Sequence, residues 1–349
     1  MAGITWLKEF QKPALRGLVD AMEQDKLETP SFATTYMPNE NVYSNTFAYD
    51  VIKKSNNLAA MIGVGAEPPV MDRDAVASRM GELAKYGLKY IATEEELLQL
   101  NQPRNNAEQS ALVDKLLVKG ADLVKALQDR VEISKVEAIA KGNIQYNKNG
   151  VKVNIDFTQD MPDSHKVALT GEDTWDNPEH DVIGDLLEWV DEYEDNTGQK
   201  PDTILLSRET QALLLKNSVI VTEAMGIADH GRGRVSVDQL NSVLGGYDLP
   251  AVQVISKRKA NVRNLYTGED EVVEFFPKNR VVMVSQGVGK FLFGPTAEND
   301  FQPGVALEAY DKQEPIQSIL RVAAAGFPVI EQPNLLFHAD VVAEEGAEG

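Results

Sequence analysis

One stretch of the chain has the pattern of an unusually long helix. Between residues 107 and 141, apolar and small side chains recur every three or four positions and so share one helical face. They are Leu112, Leu116, Gly120, Leu123, Leu127, Val131, Ser134 and Ala138. At 1.5 Å per residue such a helix is ~50 Å long. We predict that it begins near Pro103, because proline suits the first helical turn, and that it ends at Lys141.

The pattern changes from helix to strand at Gly142. Ile144 and Tyr146 alternate with polar residues, and a second alternating run follows over residues 151–157. Between the two runs, Asn149-Gly150 is a strong signal for a hairpin turn, while Gly142 suits the left-handed conformation that ends a helix. The sequence therefore predicts a helix that leads directly into a β-hairpin at residues 144–157.

The rest of the chain mixes short helices and strands. We predict a short amphipathic helix over residues 5–24, a β-like run from residue 43, and a second helix over residues 180–193. Beyond residue 196, short helices alternate with β-rich pieces such as "PAVQVIS", "RVVMVS" and "KFLFG". This order indicates an α+β fold.

An apolar segment near residues 60–72 has poor means of packing on itself. Gly63, Gly65 and the two prolines interrupt it, so an extended hairpin is the best interpretation. Such a hairpin gains most from covering a neighbouring chain. The predicted assembly contacts are Met61, Ile62, Val64, Pro68, Pro69 and Val70.

The charge of the chain is strongly negative and uneven. The net charge is -20, which opposes general binding to nucleic acid. Residues 170–199 hold eleven acids and no lysine or arginine. We expect this acid-rich segment to form a solvated face or a docking face for a basic partner. The alternative is the carboxylate pair of an acidic carbohydrate-active enzyme.

The residues of the chain give little support to catalysis. The four histidines are scattered without metal-ligand spacing, and there is no cysteine. "QGVGKFLFG" lacks the Ser or Thr that a phosphate-binding loop needs after its lysine, so it predicts a turn between strands. No stretch approaches the ~20 apolar residues that span a bilayer. We expect no enzyme activity, no cofactor, no metal and no membrane contact.

The order of these elements resembles the major capsid proteins of tailed phages, in particular the group similar to the capsid protein E of lambda-like phages. The resemblance runs from about residue 40 to 343. It is carried by "IGVGAEPPVMDRD", "RNNAEQ", "EAIAKGNI", "VKVNIDF", "TWDNPEHDVIGDLLEW", "FFPKNRVVMVSQGVGKFLFGPT" and "FPVIEQPNLLFHADVV".

The resemblance implies a Hong Kong 97-type fold with five parts. They are an N-arm (1–42), an E-loop hairpin (43–92), a P-domain (93–195), an A-domain (196–322), and a return to the P-domain with an acidic tail (323–349). It also implies a chain made in the host cytoplasm that self-assembles, as hexamers and pentamers, into the virion's icosahedral shell around double-stranded DNA, which it does not bind sequence-specifically.

The same resemblance implies a set of partners. A portal is expected, and the short arm favours a separate scaffolding protein; a decoration protein is left open. An encapsulin, the shell of a protein compartment, shares this fold and is the alternative within the class.

Overall fold

The computed structural model describes residues 3–28, 31–44, 46–53, 75–148, 151–226, 233–264 and 268–343. The helices are α1 (Lys12–Glu28), α2 (Phe32–Tyr36), α3 (Glu94–Asn101), α4 (Asn106–Lys141), α5 (Val182–Thr197), α6 (Arg208–Leu214), α7 (Ser218–Met225) and α8 (Val237–Gly246).

Sixteen strands lie within these described ranges. They are β1 (Asn39–Asn41), β2 (Thr46–Lys53), β3 (Ala75–Glu82), β4 (Ala84–Ala92), β5 (Asn143–Lys148), β6 (Val151–Asp156), β7 (Lys166–Ala168), β8 (Thr203–Ser207), β9 (Val252–Ile255), β10 (Lys259–Arg263), β11 (Asp270–Glu274), β12 (Arg280–Val284), β13 (Gly289–Gly294), β14 (Ala306–Gln313), β15 (Ile316–Ile330) and β16 (Leu336–Asp340).

The first of two units comprises residues 1–49, 80–135 and 290–329. Its sheet has the order β1-β13-β15-β14, and β4 pairs with β15. One face of this sheet carries Leu320, Val322 and Ala324, which belong to the same buried core as Leu123 and Leu127 of α4. The α4 part of this unit thus buries its apolar stripe, as the 3.6-residue periodicity predicts.

The second unit comprises residues 50–79, 136–289 and 330–349. Its main sheet has the order β7-β16-β12-β8-β9. The two edge strands are parallel to their neighbours, β7 to β16 and β9 to β8, whereas β12 is antiparallel to both β16 and β8. Every residue of β8 is buried, as expected for a strand covered on both faces. Trp175 stacks on Trp189, with ring centroids 5.6 Å apart.

The long helix and its hairpin are confirmed, with one correction at the start of the helix. The helix begins at Asn106, so the prediction of Pro103 as the first helical residue is wrong. The reason is a better cap: Asn105 Oδ1 accepts a hydrogen bond from Glu108 N at 2.8 Å. Gly142 has φ +65, the left-handed conformation that was predicted for it.

Other boundaries also differ from the predictions. The amphipathic helix lies at Lys12–Glu28 and is preceded by two short 3-10 helices. The second predicted helix runs Val182–Thr197. Strands β10 and β14 were not predicted. Among the described residues, none of the helices combines the length and apolar character needed to cross a bilayer.

Candidate assembly site

The predicted assembly contacts cannot be placed by the structure. Met61, Ile62, Val64, Pro68, Pro69 and Val70 lie outside the described residues. The strands that precede and follow this segment, β2 and β3, pair as a two-stranded sheet. The assignment of these six residues to contacts between copies therefore stays a prediction.

The amino-terminal residues of the first unit are part of its core. Ile4, Phe10, Leu15 and Val19 are all buried in the same apolar cluster as the α4 stripe. Burial of four such side chains contributes ~1.5–3 kcal/mol each. These amino-terminal residues are thus a structural layer of the unit, on the side of α4 that the sequence marks as apolar.

A polar cluster, which we call the lysine clasp, ties α2 to α4 in this unit. Lys135, with a fully buried side chain, donates from Nζ to Thr34 Oγ1 at 2.9 Å and lies 3.4 Å from Glu132 Oε1. Glu132 also accepts hydrogen bonds from Ser31 Oγ and, at 2.8 Å, from Thr34 Oγ1. The Lys135 ammonium lies 5.8 Å from the centroid of the Phe291 ring.

The two charges of the lysine clasp depend on each other. Burial lowers the pKa of Lys135, and the Glu132 carboxylate opposes that effect. Burial favours protonation of Glu132, but Lys135 and the two hydroxyl donors outweigh it and lower the pKa of Glu132. A buried ion pair of this kind is costly to break from one side only. The clasp therefore holds α2, which precedes β1 in the chain, against α4.

A cavity of about 410 Å³ lies in the same unit. Arg16, Asp20 and Lys26 of α1 contribute charges to its lining. Apolar lining comes from Val19, Leu127, Val131, Phe293 and Val305. The cavity thus combines an apolar surface with charged groups of both signs.

In the second unit, Arg280 and Lys141 make polar contacts at the carboxyl end of α4. Arg280 donates to the backbone oxygen of Ala140 at 3.3 Å, and its other nitrogens form a bidentate pair with Asp340 at 2.7 Å. Lys141 Nζ donates to the backbone oxygen of Glu274 at 2.7 Å. The bond from Arg280 satisfies the terminal carbonyl of Ala140, which the helix itself leaves without a partner.

Histidines serve this packing as buried neutral rings. His338 Nε2 donates to the backbone oxygen of Ile139 at 2.8 Å. His165 Nδ1 donates to the backbone oxygen of Leu336 at 2.8 Å, and its ring stacks on Tyr193. His180 contacts Asp185, whereas His230 lies outside the described residues. Within the described ranges, no acids, histidines or cysteines cluster in a way that suits a metal ion.

The buried His338 makes the stability of the second unit depend on pH. Burial, with a smaller contribution from Arg280, lowers the pKa of His338 to about 4. Unfolded histidine has a pKa of about 6.5, so the unfolded chain takes up the proton first as the pH falls. The free energy of unfolding should therefore fall between pH 6.5 and 4, by about 3 kcal/mol from this group. In His338→Gln, the free energy of unfolding from denaturant titrations should depend less steeply on pH over this range, by about one bound proton. An unchanged pH dependence would contradict the assignment of this effect to His338.

The acid-rich segment lies on the surface of the second unit. Asp185 accepts hydrogen bonds from Trp175 Nε1 and His180 Nε2, each at 2.7 Å, and Asp181 caps α5 through Gly184 N at 3.0 Å. The remaining acids of α5 are mostly exposed along its outer face, namely Glu188, Asp191, Glu194 and Asp195. Asp185 and Asp181 have structural roles, and the exposed acids follow the solvated face that the sequence predicts.

Comparison with solved structures identifies the fold. A protein proposed as a prophage capsid protein in Escherichia coli CFT073 matches with 14% identity and a TM-score of 0.59, over 95% of this chain and 99% of that chain. A phage-related protein of Bordetella bronchiseptica RB50 matches with 13% identity and a TM-score of 0.55, over 94% and 96%. A chain of the mature capsid of bacteriophage PhiM1 has 11% identity and a TM-score of 0.50, over 89% and 86%. The fold is the Hong Kong 97-like fold of phage capsids.

The family follows from the sequence. The model of the family described as phage major capsid protein E matches residues 14–341, which is nearly the whole chain. The chain belongs to the phage major capsid protein E family, a class of shell-forming structural proteins located in the virion. A search of curated protein sequences finds no match.

Proposed function

We propose that this chain self-assembles, through hexamers and pentamers, into the icosahedral head shell that encloses phage double-stranded DNA, and that it is not an enzyme. The observation that carries the proposal is the family match over residues 14–341 of a chain with a capsid fold. A shell protein of this class acts by enclosing a space, and it does so through contacts between subunits and not through a catalytic site.

The charge of the chain supports a container that does not hold its DNA tightly. The net charge is -20, and exposed acids such as Glu188 and Asp191 repel phosphate. We propose that the genome is enclosed without sequence-specific binding and that the acid-rich segment does not touch it. The chain would be made in the host cytoplasm and assembled there.

The parts of the subunit are proposed to follow the class. Residues 1–42 act as the N-arm, 43–92 as the E-loop, 93–195 as the P-domain and 196–322 as the A-domain, with the last strand returning to the P-domain. The long helix α4 is the spine that links the described parts of both units in sequence.

The partners proposed for assembly are a portal and a separate scaffolding protein, with a decoration protein left open. Burial of Phe10 and Leu15 in the core supports a separate scaffold. Proteolytic removal of the segment that carries these side chains would expose the apolar stripe of α4. Residues 3–28 therefore fit a permanent part of the shell subunit better than a scaffold that is cleaved off.

The direct test is to produce the chain alone and together with the products of its neighbouring genes. We expect sedimentation and negative-stain microscopy to show closed shells when a scaffolding protein is present. Shells that contain an enzyme cargo and no DNA would instead support a compartment of the encapsulin type. A chain that stays monomeric in both conditions contradicts the proposal.

The E-loop prediction concerns the assembly contacts at Met61 to Val70. We expect that replacing residues 60–72 with a short Gly-Ser linker leaves a soluble chain with a near-native circular dichroism spectrum, because the Gly- and Pro-rich segment has little means of forming a local core. That chain should fail to close shells even with scaffolding protein. Shells of normal size would show that the segment is not a contact between copies, and loss of the fold would show that it belongs to the core of its own subunit.

A further inference from the structure

A loop of the first unit holds an aromatic ring in solvent. Phe301 lies between β13 and β14 and is 74% exposed, whereas Phe10, Phe291, Phe293 and Phe327 of the same unit are buried. An exposed phenylalanine leaves a large apolar area in contact with water, and covering such a ring is strongly favourable. The ring is therefore a candidate contact.

The backbone of this loop is strained where it presents the ring. Asp300 has φ 53 and Phe301 has φ 61, so two adjacent residues with side chains adopt the left-handed region. Aspartate adopts that conformation more readily than most residues with side chains, but for a bulky residue such as phenylalanine it is unfavourable. Such residues persist when their surroundings fix them, and they concentrate at functional sites.

Several bonds hold the strained conformation. Phe301 N donates to Thr296 O at 2.9 Å, and Asn299 Nδ2 donates to Pro303 O at 3.0 Å. Lys12 Nζ of α1 lies 2.8 Å from Asp300 Oδ1. The exposed ring is thus presented by a braced loop, so little conformational freedom is lost when another molecule covers it.

The cavity of about 410 Å³ lies next to this loop. Asn299, Pro303 and Gly304 of the loop line it, but Phe301 does not. Most of its lining residues are polar or charged, and the apolar part of the lining includes Val131 and Phe293. One patch of the first unit therefore carries a projecting ring and, beside it, a recess able to accept a ring.

We propose that Phe301 of one copy inserts into this cavity of a second copy. A patch that holds both halves of a contact is suited to a reciprocal pairing of two identical chains, each donating its ring and accepting the other. Buried aromatic side chains that fill a recess are the residues that dominate protein–protein affinity. This inference rests on the proposed function and names one of its contacts.

The first test separates assembly from folding. Phe301→Gly removes the ring and also relieves the left-handed strain. We expect a melting temperature equal to or higher than that of the unaltered chain, with at least a tenfold loss of shells by sedimentation. The control is Val118→Ala, which shortens an apolar side chain that is 57% exposed on α4 of the same unit; it should assemble normally. Normal shells from Phe301→Gly overturn the proposal.

The second test locates the recess. The chain has no cysteine, so disulfides can be introduced without background. A Phe301→Cys variant and an Asp20→Cys variant, with Asp20 at the cavity, are assembled together with unaltered chain and oxidised. We expect a disulfide-linked dimer above the level that either single variant gives alone. Loss of shells in Phe301→Gly without this dimer overturns the cavity as the receptor.

The unaltered chain distinguishes the two levels of failure. If it forms no shells with its scaffolding protein, the proposed function fails and this inference with it. If it forms shells that tolerate Phe301→Gly, only this inference is wrong.

Discussion

Replacing Glu132 with leucine is expected to destabilise the first unit by roughly 3–5 kcal/mol at pH 7, the cost of leaving one member of a buried ion pair without its partner. Lys135 has a fully buried side chain, and Glu132 is the carboxylate that holds its charge. The measurement is the free energy of unfolding in denaturant, followed by fluorescence and circular dichroism.

The pH dependence of Glu132→Leu gives a second readout. Without Glu132, the pKa of Lys135 should fall further below that of the unfolded chain, so the unfolded state binds more protons. Stability should therefore rise as the pH is raised from 7 to 10, and part of the deficit should disappear. A deficit that stays constant over this range would contradict a charge-based cause.

A matched pair of variants isolates the interaction in the lysine clasp. Lys135→Met removes the buried charge while keeping much of the side-chain volume, and it should cost clearly less than Glu132→Leu. The double variant Glu132→Leu with Lys135→Met should recover much of the loss of the single Glu132 variant. Additive losses in this double-mutant cycle would show that the two side chains do not act as a pair.

Val131→Asp is expected to be strongly damaging, because it places a charge on the apolar stripe of α4. Val131 is 4% exposed and belongs to the core of the first unit. An unpaired carboxylate at this position should lower the free energy of unfolding by about 3 kcal/mol or more. The reason is that the carboxylate must either be buried with its charge or be protonated, and both are unfavourable at pH 7. We expect insoluble or unassembled protein, measured by soluble yield and sedimentation.

Val118→Asp is the matched control, because it makes the same substitution on the same helix at a residue that is 57% exposed. It should change the free energy of unfolding by about 0.5 kcal/mol or less and leave the yield of soluble protein unchanged. Equal losses of stability and soluble yield in both variants would show that the apolar stripe is not the buried face of α4. Normal assembly of Val131→Asp would show that the face is not buried at all.

The elements that could be predicted from the sequence are those with a strong local cause. The stripe of α4 repeats over many turns, and Leu116, Leu123, Leu127, Val131 and Ala138 are all buried as its period predicts. Gly142 and the hairpin after it follow from local turn chemistry. The spacing of Thr93 and Glu96 is the sequence pattern of a capping box, and the structure has that box at the start of α3.

The elements that were missed depend on residues distant in sequence. Strand β14 contains several polar residues and is fixed by its antiparallel partner β15. Lys135 lies in a segment of α4 in which Val136, Ala138 and Ile139 are also buried. The small and apolar residues around it in the sequence were the signal that this lysine could be buried. Its partner Thr34, and Ser31, which donates to Glu132, are about a hundred residues away from the helix segment that they contact. Periodicity alone cannot identify such partners.

The position of Phe301 lies beyond sequence patterns for a different reason. "ENDFQPG" predicts a turn through its Asn, Pro and Gly residues, but it does not indicate which residue has the left-handed backbone. Glycine is the usual choice there, and in this loop Asp300 and Phe301 adopt it instead. Only the surrounding bonds of the folded chain, such as that from Lys12 to Asp300, account for it.

Cryo-electron microscopy of heads from the phage that encodes this chain would show directly whether the chain builds the shell around the genome. We expect a closed icosahedral shell of Hong Kong 97-like subunits, built from this chain around double-stranded DNA, with no DNA density against Asp185 or Glu192. A head whose shell is built from another protein, or a particle of this chain that encloses protein cargo instead of DNA, would contradict it.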